Sequence, residues 1–462
     1  MRIVMCASEV VPFAKTGGLA DVAGALPLSL EDQGQEVIVV MPRYKSIQGS
    51  QFKINKVKED IAASKIGRNI QVYFIENEKY FNRDNLYMDK NGDYPDNLDR
   101  FSYFCRRTLQ LLKEIKFKAD VIHVHDWQAS LVPVYLKSAY AKDPFYKDMR
   151  TVLTIHNIGY QGLFPKEEFT KLGLDWSLFD MEKLEFYGKV NLLKGGIVFS
   201  DIVNTVSPTY AKEIQTKEFG FGLEGVLAKR KSSLFGILNG IDYSIWDPQT
   251  DTFIAEQFWA QDYKGKRKDK TDLQKICNLP VTADKPLFGI VSRLAEQKGF
   301  DILAEAMDTI CNLNLQLVIL GTGNVKFHTL LSDIVKKYPK VISLHLKFDD
   351  VLAHKIYAGS DFFLMPSRYE PCGLGQLISL RYGTIPAVFK TGGLADTIDK
   401  NNGFIFSQYK QEELVKTIKA ALGVFKDKQQ LDTLIRNAMK CNFSWETSAK
   451  AYIRLYEKVR SK

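Results

Sequence analysis

The stretch "IVMCASEVVPFAKTGGLADVAGALPLSLEDQG" (Ile3 to Gly34) begins with an apolar run, passes through a glycine pair and continues into a helical stretch. The apolar run is nearly continuous, which is typical of parallel strands that are buried on both faces. The glycine pair lies where the strand ends and the helix begins. The stretch therefore predicts one strand–turn–helix unit of a parallel sheet.

Apolar runs of the same kind alternate with helical stretches along most of the chain. They are "EVIVVMP", "VIHVH", "TVLTIH", "IVNTVS", "LFGIVS", "LQLVILG", "VISLHL", "FFLMPS" and "TIPAVF". This alternation predicts an α/β fold with doubly wound sheets. The series pauses between residues 242 and 286, and 462 residues exceed what one core usually supports. We therefore expect domains at 1–245 and 246–442, followed by a terminal helix at 443–462.

The composition, 45% apolar and 25% charged, is that of a globular protein. No apolar run approaches the ~18 residues of a membrane helix, and the N-terminus lacks the pattern of a signal peptide. The six cysteines are scattered without paired spacing. This argues against a disulfide framework or a zinc site and is typical of a reducing compartment. We expect a cytoplasmic protein with no membrane partner.

The charge balance, 63 basic against 54 acidic residues, gives a net charge of +9. Such a balance is compatible with nucleic acid or with a phosphorylated small substrate. The densest basic run, "KGKRKDK" (Lys264 to Lys270), has no interleaved aromatic residues. We interpret this run as a solvated surface segment, so no nucleic-acid partner is expected.

The heptapeptide "KTGGLAD" occurs twice, at Lys15 to Asp21 and at Lys390 to Asp396, each time between a predicted strand and a predicted helix. Paired glycines let the backbone approach a ligand, and a helix N-terminus offers N–H groups to an anion. Neither copy matches G-x-G-x-x-G or the Walker pattern. The pattern alone leaves two interpretations, a ligand-free tight turn or a turn beside an anion or sugar. The cation and carboxylate of the first copy favour the second interpretation.

Two later motifs follow predicted strands and carry charged side chains. "SRLAEQKG" places Arg293 and Lys298 five residues apart, which suits a diphosphate, although surface cations paired with Glu296 are an alternative. "SRYEPCGLGQL" combines Glu370 and Cys372 with a glycine turn that can bind sugar hydroxyls. A thiol nucleophile is the weaker interpretation, because no histidine lies nearby in the sequence.

Histidines end two further predicted strands. In "TIHNIGYQG", His156 is either a structural residue or a candidate at the ligand-binding edge of the sheet. In "HVHDW", His123 and His125 face the same side of a strand, but no third metal ligand is near. Asp126 and Trp127 of the same motif resemble a sugar platform more than a metal site.

Taken in order, "KTGGLADV", "HVHDWQA", "TIHNIGYQG", "LNGID", "VSRLAEQKG", "SRYEPCGLGQL" and "RYGTIPAVFKTGGLADT" resemble the motifs of bacterial glycogen synthases and plant starch synthases, from residue 1 to the terminal helix. The resemblance implies a GT-B fold, with two Rossmann-like doubly wound domains facing each other across a cleft and the terminal helix crossing back to the first. It also implies that glucose is transferred from ADP-glucose to the non-reducing end of an α-1,4-glucan. The anomeric configuration would be retained, without a metal or other cofactor. The alternative is a related GT-B enzyme that uses UDP-glucose or a small acceptor.

The resemblance also implies roles for individual residues. The catalytic set is Asp21, His156, Arg293, Lys298 and Glu370. The set that binds ADP-glucose is Lys15, Gly18, Asn157, Asn239, Phe348, Cys372, Gly373, Leu374, Thr391 and Gly392. The set on the acceptor side is Tyr94, Asp126 and Trp127. Two positions depart from the pattern of related retaining transferases: Ile378 stands where many have a second glutamate, and Gly375 replaces a larger polar residue.

Overall fold

The stretch from Ile3 to Gly34 forms a strand, Arg2–Cys6, and a helix, Gly18–Asp32, in the computed structural model, which describes residues 1–461. The strand pairs in parallel with a neighbour on each side, and most of the helix is buried against the sheet. Each apolar run quoted above forms a strand with parallel pairing. The predicted α/β fold is confirmed.

The chain divides into two compact units. Unit 1 comprises Met1–Gly240 and the segment that begins at Trp445, and unit 2 comprises Ile241–Ser444. The sequence placed the corresponding divisions after residues 245 and 442. Each unit has its own sheet and its own hydrophobic core.

Within the described residues the strands of unit 1 are β1 (Arg2–Cys6), β2 (Glu36–Pro42), β3 (Asn55–Lys58), β4 (Ile61–Ile66), β5 (Ile70–Ile75), β6 (Met88–Asp89), β7 (Gly92–Asp93), β8 (Val121–His125), β9 (Arg150–Ile155), β10 (Leu163–Pro165), β11 (Glu185–Phe186), β12 (Lys189–Asn191), β13 (Ile202–Thr205) and β14 (Leu234–Gly236). Nine of them form the main sheet, in the order β14-β13-β9-β8-β1-β2-β5-β4-β3. The carboxyl ends of β1, β8 and β9 meet at one edge, because these strands are parallel and adjacent. That edge is where an open α/β sheet binds its ligands.

The helices of unit 1 cover this sheet. They are α1 (Gly18–Asp32), α2 (Glu78–Phe81), α3 (Asn97–Glu114), α4 (Asp126–Ala129), α5 (Leu131–Lys137), α6 (Leu192–Phe199), α7 (Pro208–Glu213), α8 (Glu224–Lys229) and the terminal α17 (Trp445–Arg460). The terminal helix packs against α1 and β9 and buries two tyrosines, Tyr452 and Tyr456. Its packing surface is thus part of the core of unit 1.

Unit 2 repeats the plan with a parallel sheet of order β17-β16-β15-β18-β19-β20. Its strands are β15 (Leu287–Val291), β16 (Gln316–Leu320), β17 (Ile342–His345), β18 (Phe362–Met365), β19 (Ile385–Phe389) and β20 (Phe404–Phe406). Its helices are α9 (Lys266–Ile276), α10 (Phe300–Cys311), α11 (Val325–Lys337), α12 (Asp350–Gly359), α13 (Gly375–Arg381), α14 (Gly392–Thr397), α15 (Gln411–Lys426) and α16 (Lys428–Lys440). Short 3-10 turns at Lys166–Leu172, Trp176–Leu178, Lys231–Ser233 and Glu296–Lys298 complete the regular structure of the two units.

The basic run 264–270 corrects one expectation. It opens α9, and only part of it is solvated, because Lys266 and Lys270 are buried. The Lys266 ammonium donates hydrogen bonds to the carbonyl oxygens of Ala358 and Tyr382, and Lys270 pairs with Asp361 at 2.7 Å. These lysines are internal anchors of unit 2, so the interpretation of the whole run as a surface segment was wrong.

Across 1–461, no helix is both long and apolar enough to cross a membrane. Over the same residues, no group of three or more His, Cys, Asp or Glu side chains is arranged to hold a metal ion.

Candidate active site

The first glycine loop is held by Glu9, which follows β1 and is 3% exposed. Its carboxylate accepts hydrogen bonds from the backbone N–H groups of Thr16 and Gly17 and from the Thr16 hydroxyl at 2.6 Å. The Tyr87 hydroxyl also donates to this carboxylate, at 2.7 Å. The buried carboxylate therefore fixes the backbone of the loop. Glu9 was not among the residues predicted from the sequence, although an acidic residue after an apolar strand was a usable signal.

The charged side chains of the first loop lie at the surface of unit 1. Lys15 Nζ pairs with Asp21 Oδ1 at 2.7 Å, and the lysine is exposed. Gly18 is exposed at the start of α1, after Gly17 in an extended conformation. Within the described residues, no heavy atom lies within 4 Å of where a Cβ on Gly17 would stand. The loop thus presents a cation, a carboxylate and an open backbone to a ligand.

The second glycine loop has a different environment. Gly392 has φ 42°, and a Cβ there would lie 2.0 Å from the carbonyl oxygen of Glu370. A Cβ on Gly393 would lie 2.1 Å from the carbonyl oxygen of Cys372, and Thr391 is only 1% exposed. The glycines of this copy are required for close packing of two backbones. The repeated heptapeptide therefore occupies two unlike surroundings.

This difference predicts unequal effects of alanine at the two loops. Gly392→Ala must relieve both a positive φ and a backbone clash, so we expect it to lower the free energy of unfolding by about 1–3 kcal/mol. Gly17→Ala meets neither obstacle and should change stability by less than about 0.5 kcal/mol. Urea unfolding of both variants checks this, and equal stability losses would contradict it.

Unit 2 pairs one cation of the first of the two later motifs with the glutamate of the second. Lys298 Nζ pairs with Glu370 Oε2 at 2.6 Å, and the Ser367 hydroxyl donates to the same oxygen at 3.0 Å. Both members of the pair are largely buried. Arg293 is exposed and forms no ion pair with any residue of 1–461. The oriented ammonium of Lys298 and the exposed guanidinium of Arg293, which follows β15, are each able to bind an anion.

The remaining candidates of unit 2 flank these charges in the sequence. Cys372 is buried, Gly373 has φ 74° and Leu374 precedes α13, so this segment turns sharply into a helix. Phe348 follows β17 and is 84% exposed. An aromatic ring this exposed offers a face on which a flat ligand can stack.

A stack of histidines lies at the edge of the unit 1 sheet. His123 contacts the Tyr456 hydroxyl through Nδ1 at 2.8 Å and Thr154 through Nε2 at 2.6 Å. His125 Nδ1 lies 2.9 Å from His156 Nε2, and the rings of His123 and His125 are 4.2 Å apart. Burial lowers the pKa of His123 and of His156 to about 3, and that of His125 well below its ordinary value. All three rings are therefore neutral near pH 7.

The buried histidines predict a loss of stability in mild acid. In the unfolded chain they take up protons near pH 6.5, whereas the folded protein keeps His123 and His156 neutral to about pH 3 and holds the pKa of His125 well below its ordinary value. The unfolded state binds more protons in that window, so stability present above pH 6.5 is lost as the pH falls. The loss between pH 7 and 5 is about 2 kcal/mol per histidine. Urea unfolding at pH 7, 6 and 5 measures it. In His125→Asn, with one buried histidine fewer, the pH dependence should be weaker, and an unchanged dependence would contradict the assignment.

Asp126 holds the loop that contains His156. Its effect on the pH dependence of stability is also opposite to that of the histidines. It has φ 54°, and its Oδ1 accepts a hydrogen bond from the backbone N–H of His156 at 2.7 Å. Burial raises the pKa of Asp126 to about 7. Because the folded state then holds a proton that the unfolded state has lost, this group reduces stability as the pH rises from about 4 to 7. It offsets part of the loss caused by the histidines.

The other candidate residues of unit 1 differ in how exposed their side chains are and in how many partners they already have. The Asn239 side chain is 5% exposed, and its Oδ1 is buried without a hydrogen-bond partner in the described part of the chain. The Tyr94 ring lies against the guanidinium groups of Arg83 and Arg100, at 4.6 and 5.0 Å. Asn157 is partly buried, and its Oδ1 accepts from the backbone of Gly159.

Trp127 is less open than a sugar platform requires. The indole is 9% exposed and belongs to the core of unit 1. A Cβ on Gly162 would lie 2.5 Å from an indole carbon, so the backbone of that glycine covers the ring. The burial leaves at most an edge of the indole for a ligand.

Comparisons with known proteins agree along the whole chain. The family model described as the starch synthase catalytic domain matches residues 2–229, and that of glycosyl transferases group 1 matches residues 275–440. A curated glycogen synthase of Geotalea uraniireducens is 48% identical, over 99% of this chain and 98% of its own length. That of Thermotoga maritima is 43% identical, over 100% and 99%.

Solved structures give the same result for the fold. The catalytic domain of starch synthase IV from Arabidopsis thaliana, bound to ADP and acarbose, matches with a TM-score of 0.91 and 34% identity. The match covers 100% of this chain and 99% of that one. Sucrose-phosphate synthase from Thermosynechococcus elongatus matches with a TM-score of 0.63 at 17% identity, over 100% and 99%, which shows a shared fold alone.

Proposed function

The chain belongs to the glycogen synthase family and has the GT-B fold, and we propose that its donor is ADP-glucose and its acceptor the non-reducing end of an α-1,4-glucan. The enzyme is a glycosyltransferase of the glycogen synthase type, which transfers glucosyl units in glycogen or starch synthesis. An adenine nucleotide donor is supported by the starch synthase relative that was solved with ADP.

The observation that carries the proposal is the charge arrangement of unit 2. Lys298 is oriented by its pair with Glu370, and Arg293 has no ion pair within residues 1–461. A departing nucleoside diphosphate develops negative charge, and preorganised cations at that point lower the barrier. Arg293 supplies a planar fork and Lys298 a point charge, so the two cations can share the phosphate oxygens.

The other residues proposed for the donor site contact different parts of the nucleotide sugar. Lys15 and the backbone of Gly18 bind the diphosphate, and Asp21 and Asn239 bind glucose. The buried unpartnered Oδ1 of Asn239 supports this, because a sugar hydroxyl would satisfy it. Further donor contacts come from Asn157, the exposed ring of Phe348, which stacks on adenine, and the backbone at Cys372, Gly373, Leu374, Thr391 and Gly392.

On the acceptor side we propose Tyr94 and Asp126, with Trp127 limited to the edge of its indole. Asp126 has a second task in this scheme, since its hydrogen bond holds the backbone of His156. The carbonyl of His156 then supports positive charge that develops at the anomeric carbon.

Retention follows from attack on the face that the leaving group vacates. The departing diphosphate accepts the proton of the attacking glucan hydroxyl, the bond from the anomeric carbon to the diphosphate breaks, and the new glycosidic bond forms on the same face. Glu370 is engaged with Lys298 and Ser367, which supports its role as a positioning and glucose-binding group. Trapping a covalent glucosyl-enzyme on Glu370 or Asp21 would overturn this mechanism.

The proposal is tested by comparing donors with glycogen as the acceptor. We expect ADP-glucose to give the higher kcat/KM, with glucose incorporated into polymer. A preference for UDP-glucose, or transfer only to a small acceptor such as a hexose phosphate, would favour the alternative GT-B activity instead.

A further inference from the structure

A line of polar groups runs from the terminal helix to His156 inside unit 1. The Tyr456 hydroxyl contacts His123, the His123 ring lies 4.2 Å from the ring of His125, and His125 contacts His156. His123 is held at its other nitrogen by Thr154. Of these groups, only His156 was selected as catalytic. The question is what the contact from His125 does to it.

The contact between His125 and His156 allows two arrangements of one proton. Burial keeps both rings neutral, since the pKa of each lies far below 7. Each ring therefore carries a single N–H, and one of the two facing nitrogens must donate to the other. Either His125 Nδ1–H donates to His156 Nε2, or His156 Nε2–H donates to His125 Nδ1.

The buried surroundings of His125 distinguish the two arrangements. Its Nε2 is buried and has no hydrogen-bond partner among residues 1–461. If His156 were the donor, the proton of His125 would sit on this Nε2 as an orphaned buried N–H, which folded proteins rarely tolerate. If His125 is the donor, only a lone pair is left there. With His125 as the donor, the proton of His156 lies on Nδ1, which is not a buried atom without a partner, and the His156 residue is only partly buried.

We propose that His125 is a positioning residue that donates from Nδ1 to His156 Nε2 and so fixes His156 in the tautomer protonated at Nδ1. The Nδ1–H of His156 then points away from the core as a donor for a hydroxyl group of the bound substrate. This use of the donor rests on the proposed function, in which His156 contacts the reacting sugar. The tautomer itself rests only on the geometry of unit 1.

The tautomer is measured by nitrogen-15 NMR of protein labelled at histidine, because long-range couplings distinguish Nδ1–H from Nε2–H in a neutral ring. The chain has six histidines, and the signals of His156 are identified by their loss in His156→Gln. In the wild type we expect His156 to be protonated at Nδ1. In His125→Phe the ring has no donor but offers a π system that can accept an N–H, so we expect His156 to shift to the Nε2–H form that an unconstrained imidazole prefers. In His125→Asn, whose amide nitrogen stands near the position of Nδ1, the Nδ1–H form should be restored.

A matched control removes a different hydrogen bond from the same line of polar groups. Tyr456→Phe deletes the hydroxyl that contacts His123 but leaves the contact of His125 with His156 in place. We expect this variant to retain the Nδ1–H tautomer. A tautomer switch in Tyr456→Phe equal to that in His125→Phe would assign the effect to general loosening and overturn the proposal.

Kinetics show whether the tautomer matters to the reaction. We expect kcat to fall about tenfold in His125→Phe, the scale found at outer partners of a catalytic group, and to recover in His125→Asn. Wild-type His156 protonated at Nε2, or an unchanged tautomer in His125→Phe, would overturn the proposal whatever the activity. Absence of glucan synthesis from a nucleotide sugar by the wild type would instead refute the proposed function and leave the tautomer result standing.

Discussion

Lys298→Ala is expected to lower kcat about 10²–10³-fold, the range found when one preorganised charge is removed from a developing anion. The ammonium group is oriented by Glu370 at 2.6 Å, so its position is set before the substrate arrives. Its charge acts on the leaving diphosphate and hence mainly on the transition state. We therefore expect kcat and kcat/KM to fall together. Initial rates with ADP-glucose and glycogen measure both quantities.

The same variant disturbs stability, because Glu370 is buried and, among residues 1–461, keeps only Ser367 as a side-chain partner. A buried ion pair broken on one side typically costs about 3–5 kcal/mol. Lys270→Ala is the matched control, since Lys270, on α9 of the same unit, forms a similar buried pair with Asp361, which precedes β18. The control should lose stability yet keep kcat per folded molecule. Near-normal turnover in Lys298→Ala, once corrected for the folded fraction, would refute the assignment.

Most parallel strands of both units were predictable because they are covered on both faces and read as unbroken apolar runs. The parallel strands Ile70–Ile75, Leu234–Gly236 and Phe404–Phe406 were not predicted. The remaining strands lack that signal. The strand Asn55–Lys58 is exposed throughout, and it extends the sheet of unit 1 by antiparallel pairing. The strands of the small sheet formed by β10, β12 and β11 are two or three residues long. Their formation depends on neighbours that a local pattern does not reveal.

The candidate site was likewise predictable where it depends on local motifs and not where it depends on contacts between residues distant in the sequence. Motifs identified the loops, but the pairs that organise them join distant residues: Glu9 with Tyr87, 78 positions apart, and Lys298 with Glu370, 72 apart. No spacing rule connects such residues. Lys266 and Lys270 are a second example, because the sequence of the basic run does not reveal which of its lysines are buried and bonded within unit 2.

The two copies of the heptapeptide provide the sharpest comparison, since Lys15 and Lys390 have identical local sequences. Lys15 is exposed, pairs with Asp21 and adjoins an open stretch of backbone at Gly17. Lys390 is exposed at the end of β19, where its backbone N–H donates to Phe406, and it precedes glycines that are packed against backbone. Only the first lysine has the surroundings expected of a ligand contact.

Lys15→Ala is therefore expected to raise KM for ADP-glucose about 10- to 100-fold, the equivalent of one charge-assisted hydrogen bond to a phosphate. Lys390→Ala should change KM by less than twofold, because its side chain lacks that role. Both lysines are exposed, so neither substitution should disturb folding, and thermal unfolding verifies this. Initial rates over a range of ADP-glucose concentrations at saturating glycogen measure the difference. Equal increases in KM would show that the two loops serve the donor alike and would remove the asymmetry inferred from their packing.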